Sequence, residues 1–166
     1  MKLSTEIPVD AAADEVRRCT HDLAWILGCV PGVTIEEAHD DGSCAASITV
    51  DGGEFSITMR GVAALDGDVG GDGDNGDGGD AADADAADAD VVLRASGRDR
   101  MGTLKAVAEV RVSVAPDEVS GGLTIGLDAD LDFSGVLAAP VRLHGKSTIK
   151  KLMRKTATTV ATRLAR

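Results

Sequence analysis

The side chains best suited to reactive chemistry lie close together near the start of the chain: His21, Asp22 and Cys29. A Cys–His couple becomes a nucleophile when the imidazole takes the thiol proton, which requires hydrogen-bond contact. Positions 21 and 29 are two helical turns apart, with a predicted helix break between them, so contact is not expected. Cys19, Cys29 and Cys44 make an odd count without C-x₂-C spacing. They read as small buried hydrophobes in a reducing compartment. His21, His39 and His144 show no ligand spacing, and no phosphate-cradling Gly loop opens a helix. The sequence therefore predicts no catalytic residue and no metal site.

Asp66 to Asp90 carry ten Asp and no Lys or Arg, and without them the remaining chain has a net charge of −1. Asp66-Gly67-Asp68 and Asp72-Gly73-Asp74-Asn75-Gly76-Asp77 superficially resemble calcium loops. An EF-hand needs ligand oxygens at its first, third and fifth positions, Gly at the sixth and a bidentate Glu at the twelfth. No register supplies these, and the stretch has no Glu. Its low-complexity Asp, Gly and Ala composition cannot offset ordering entropy, so a disordered acidic loop is expected over about 66–90. Arg142 to Arg166 form the opposite pole, with eight basic residues and no acidic ones. The apolar stripe of that segment is needed against a sheet, which leaves at most a weak peripheral attraction to an anionic membrane. With only Trp25, Phe55 and Phe133 as aromatics, stacking of nucleic-acid bases is poorly supported and no nucleic-acid partner is expected.

The elements that would position a site follow from periodicity. Leu3, Thr5 and Ile7 alternate with polar residues as a half-buried strand does. Asp10 stands where a helix over Ala11–Cys19 would start, with Asp14 and Glu15 in its first turns. A second short helix is predicted over Asp22–Gly28. Strands follow at about Thr34–Ala38, Ser43–Val50 and Glu54–Leu65, separated by the hairpin signals Asp41-Gly42 and Asp51-Gly52-Gly53. Val91–Arg98, Thr103–Val114 and Leu123–Phe133 read as three more. From about Val136 the period becomes helical, with Ile149, Leu152, Met153, Val160, Ala161 and Leu164 on one face. Antiparallel strands followed by one covering helix indicate an α+β domain, and 166 residues suffice for a single domain.

Leu23–Val33, LAWILGCVPGV, holds the only Trp and ends a predicted helix on Pro31-Gly32. Pro pushes its predecessor Val30 out of the helical track, and Gly32 turns the chain into a strand. A hydrophobic helix stopped in this way beneath a sheet would roof a cavity.

Several strings resemble the CoxG family of carbon monoxide dehydrogenase accessory proteins, within the SRPBCC/START-like helix-grip superfamily. Met1-Lys2-Leu3 with Ile7-Pro8-Val9 resembles the opening strand of that family, and Cys29-Val30-Pro31-Gly32 its C-[IV]-P-G motif. Gly53-x-Phe55-x-Ile57 to Gly61 is similar to its third and fourth strands, and Gly135-Val136-Leu137-Ala138 to the start of its terminal helix. The resemblance covers nearly the whole chain apart from the acidic stretch. It implies a helix-grip fold: an antiparallel sheet of about seven strands wrapped around a long C-terminal helix, with two short helices after the first strand. It further implies an apolar cavity for a lipid or a quinone, and service to a carbon monoxide dehydrogenase-like molybdenum hydroxylase. The acidic loop and the lack of an extended C-terminal tail depart from some members and weaken the case for a membrane anchor.

The expected pocket wall is Trp25, Leu27, Val30, Phe55, Ile57, Met59, Leu127, Leu131, Phe133, Leu137, Ile149 and Met153. The leading expectation is a non-catalytic, cytoplasmic binding protein with no cofactor beyond a bound quinone or lipid. One alternative is a polyketide cyclase- or hydrolase-like enzyme using the same cavity. That enzyme would need a titratable group inside, whereas strand parity turns Glu54, Arg60, Arg94 and Glu109 away from the apolar set. The other alternative is an interaction domain whose core is filled.

Overall fold

In the computed structural model, the described residues are 1–66 and 91–166; the expected acidic loop, apart from Asp66, lies outside them. Strand β1 (Lys2–Val9) is followed by helices α1 (Ala13–Thr20) and α2 (Leu23–Cys29). Six strands come next: β2 (Val33–Ala38), β3 (Cys44–Asp51), β4 (Ser56–Asp66), β5 (Val91–Asp99), β6 (Lys105–Pro116) and β7 (Leu123–Ser134). Helices α3 (Ala138–His144) and α4 (Lys146–Leu164) close the chain. The strands form one antiparallel sheet in the order β1-β7-β6-β5-β4-β3-β2. The α+β architecture with a long C-terminal helix is as expected.

Three local expectations need correction. Helix α1 begins at Ala13 rather than after Asp10, and its N-cap, Ala12, gives no side-chain bond. Asp66 ends β4, paired with Val92, instead of opening a loop. The terminal helix is two pieces. Gly145 donates to Val141 at 2.7 Å and accepts from Ile149 at 2.9 Å, so the chain stays helical through the junction but changes segment there.

Alternation places the core. Along β6 and β7, Val112, Val114, Ile125 and Leu127 are buried, while Arg111, Asp128 and Asp130 face outward. Ala157, Val160 and Leu164 from the C-terminal half of α4 pack on them, together with Val9, Val16 and Cys29. Burying large apolar side chains in this way stabilises by ~1.5–3 kcal/mol each. The N-terminal half of α4 differs: Ile149, Leu152 and Met153 are only half-buried although they face the sheet side. The helix is seated at one end and spans open space at the other.

Candidate functional site

That space is a cavity of about 320 Å³ between the sheet, α2 and the N-terminal half of α4. Its floor is made by small inward-facing residues on the central strands. Gly61 pairs with Gly97, Ala63 with Ala95, Ala95 with Ala108, and Gly97 with Ala106. Where a packed core would carry Leu or Ile, these positions leave volume. Phe55, Ile57 and Met59 wall the β3–β4 side, and Leu127, Leu131 and Phe133 the β7 side. Ile149 and Met153 roof it.

Helix α2 closes another side with Trp25, Leu27 and Val30. Its start is fixed by Asp22, whose carboxylate accepts from the Trp25 amide at 3.1 Å. Its end follows the Pro-Gly logic: Val30 has ψ 117°, out of the helical region. Gly32 has φ +82°, and a Cβ there would lie 2.3 Å from the Thr49 carbonyl oxygen. The Thr49 amide in turn donates to Gly32 at 3.0 Å, which ties the turn to β3. Only Gly fits both the backbone angle and the close approach.

Eleven of the twelve residues expected at the pocket border this one cavity, and Leu137 does not. Its amide donates to the Thr103 carbonyl at 3.0 Å, holding it outside the end of the β5–β6 hairpin as the N-cap of α3. Val141, one turn into α3, takes the wall position instead. Sequence reasoning also missed Leu104, 1% exposed, and the Gly/Ala floor. The floor had a signal in the strand parity of Gly61, Ala63, Ala95 and Gly97.

Almost no polar chemistry reaches the cavity. No carboxylate, imidazole or thiol borders it among the described residues. The Thr20 hydroxyl donates to Arg17 O at 3.1 Å, and that of Thr156 to Leu152 O at 3.0 Å, so both are spent on helix backbone. Arg60 touches the lining, but its exposed guanidinium pairs with Glu36 at 3.3 Å on the outer face. Arg94 pairs there with Glu109 and Asp66.

The Cys–His pair does not assemble. His21 Nδ1 lies 2.8 Å from Arg17 O at the exposed end of α1. Cys29 is 1% exposed and receives Arg163 Nη1 at 3.7 Å. Burial pushes its thiol above the ordinary value and outweighs the neighbouring guanidinium, the opposite of an activated nucleophile. No group of three or more His, Cys, Asp or Glu is placed to hold a metal ion among the described residues. Nor is any described helix long and apolar enough to cross a membrane.

No protein-family profile matches the chain, and no curated protein matches it in sequence. Solved structures do match in shape. A conserved protein from Geobacillus kaustophilus superposes with a TM-score of 0.71 at 13% identity, covering 99% of this chain and 95% of that one. The fold is the helix-grip fold. The Zhui aromatase/cyclase from a Streptomyces species matches at TM-score 0.55 and 14% identity, over 99% of this chain and 93% of its own. A protein from Arthrobacter aurescens matches at 0.57 and 14%, over 99% and 86%. At these identities the likeness carries the helix-grip architecture and not an activity.

Proposed function

We propose that this helix-grip protein is a non-catalytic carrier of an apolar small molecule, a lipid or a quinone. The observation that carries the reading is the Gly/Ala floor beneath a roofing helix, which leaves a cavity of about 320 Å³ with an apolar lining. That volume falls at the lower end of the ~300–1,000 Å³ range of small-molecule sites. Such a cavity is costly when empty, and a ligand regains ~0.8 kcal/mol for each methylene it buries. The filled-core alternative is disfavoured by the same open space.

The CoxG-like strings, Cys29-Val30-Pro31-Gly32 above all, support a cytoplasmic accessory role beside a molybdenum hydroxylase of the carbon monoxide dehydrogenase type. A cyclase- or hydrolase-like enzyme using the same cavity is the second reading. An acid–base mechanism at this site would need a titratable group at the cavity, and the described lining offers only the outward-turned Arg60.

The test uses Trp25, the only Trp in a chain without Tyr, which stands in the cavity wall. Menaquinone or a long-chain lipid is expected to change its emission and to raise the thermal midpoint. At a hundredfold excess over Kd the stabilisation is ~2.7 kcal/mol. Absence of both effects, with no apolar molecule in an organic extract of the purified protein, overturns the reading.

A further inference from the structure

A second depression, of about 410 Å³, adjoins the cavity and shares Val50, Thr148 and Leu152 with it. The shared residues set the two spaces side by side, and the outer one, the vestibule, carries a polar rim. Lys151 and Lys155 form that rim on α4, with Asp51 opposite. Both lysines are exposed, and neither has a carboxylate within 4.0 Å among the described residues. Asp51 is already engaged, accepting the Gly53 amide at 2.9 Å in its own hairpin.

Like charges one turn apart on a helix disfavour it. Here no acid between Arg142 and Arg166 relieves them. A site apolar inside and cationic at its rim is complementary to a molecule apolar at one end and anionic at the other. Resting on the carrier role proposed above, we infer that the cargo is a single-chain amphiphile whose anionic head, a carboxylate or a phosphate, is held by Lys151 and Lys155. The chain enters beneath α4 towards Gly61 and Gly97, and the head stays in the vestibule, where both ammonium groups remain hydrated and lose little solvation. The modest cavity volume suits one chain rather than two.

Dodecanoate, dodecyl phosphate and 1-dodecanol share one chain and differ in the head, so they separate the two ends of the site. Binding is read from Trp25 emission and by calorimetry, on the wild type, Lys151→Gln/Lys155→Gln and Lys151→Glu/Lys155→Glu. At least one anionic ligand is expected to bind more tightly than the alcohol and to lose roughly tenfold or more in affinity in the Glu variant, about 1.4 kcal/mol. The Gln variant should lose less, the alcohol should be unaffected, and added salt should weaken only the anionic ligands. The tighter of the two anions identifies the head. Equal binding of the alcohol, or an equal loss for all three ligands, overturns the inference while leaving the carrier role standing. So does binding confined to phosphatidylglycerol vesicles without a change in Trp25. Failure of all three ligands to bind the wild type overturns the inference, and the carrier role then stands or falls on the menaquinone and extraction tests.

Discussion

Gly61 and Gly97 face each other across β4 and β5 in the floor of the cavity, each too close to the opposing backbone to carry a side chain freely. A Cβ on Gly61 would stand 1.8 Å from the Ser96 carbonyl oxygen and 2.6 Å from the Gly97 Cα. At Gly97 the nearest atom, Arg60 O, would be 2.9 Å away. Neither neighbour is a flexible side chain, so the strands themselves would have to move. Gly61→Ala is expected to lower stability by about 1–3 kcal/mol, as overpacking does, despite the better intrinsic strand propensity of Ala. Gly97→Ala should cost less. Urea unfolding of the two variants checks the order, and equal stability of Gly61→Ala and wild type contradicts it.

The same pair shows how far the sequence could be read. Strand alternation and turn residues carry through the chain, so all seven strands, both short helices and the stop at Pro31 were legible. The cavity itself was expected from the family resemblance, and eleven of the residues assigned to its wall border it. What lay beyond reach was set between distant segments. Gly61 opposite Gly97 is a matter of register, and a run of small residues becomes a cavity floor only once the strands are paired. Leu137 was misplaced because its amide is captured by Thr103, a contact 34 positions away in sequence that leaves no periodic signature. The break at Gly145 was missed because Gly145 itself keeps helical angles, so no turn residue marks the junction.

Asp99 gives a pH-dependent prediction. The Thr103 hydroxyl and the Leu104 amide, the latter at 2.8 Å, both donate to its carboxylate and hold its pKa below the ordinary value near 3.8. A depressed folded-state pKa means the ion is favoured in the native protein. Its contribution is therefore complete above the unfolded-state value and is lost as pH falls through the folded one. Leu104, in the cavity wall, is positioned by this hairpin. Asp99→Ala is expected to lower the thermal midpoint at neutral pH, and the gap from wild type should narrow as pH drops below about 4. A gap that stays constant from neutral to strongly acidic pH would rule out the ionised carboxylate as its source.

All three cysteines are free and buried. Desolvation raises the Cys29 thiol above its ordinary value near 9.0, with Arg163 offsetting only part of the shift. Thiolate supply controls reactivity, so the native protein should resist disulfide-exchange reagents at mildly alkaline pH. Ellman titration is expected to find no rapidly reacting thiol in the folded state and three after unfolding in denaturant. A single fast thiol at Cys29 in the native protein would reopen the nucleophile reading.

Closing the cavity separates its role in binding from its role in folding. Ala108 points inward from β6, opposite Ala95, and borders the empty volume. Its side chain projects into space, unlike the Cβ that Gly61 would place against backbone. Ala108→Leu should therefore be accommodated by the cavity, with stability unchanged or raised by ~0.5–2 kcal/mol, as for other cavity-filling substitutions. The added atoms occupy the volume a ligand would need, so the Trp25 emission response to dodecanoate or menaquinone should be lost or weakened at least roughly tenfold, about 1.4 kcal/mol. Denaturation and titration on the same preparation give both numbers. A stable variant that still binds with wild-type affinity would place the ligand elsewhere, whereas a destabilised one would mean that the floor is already close-packed.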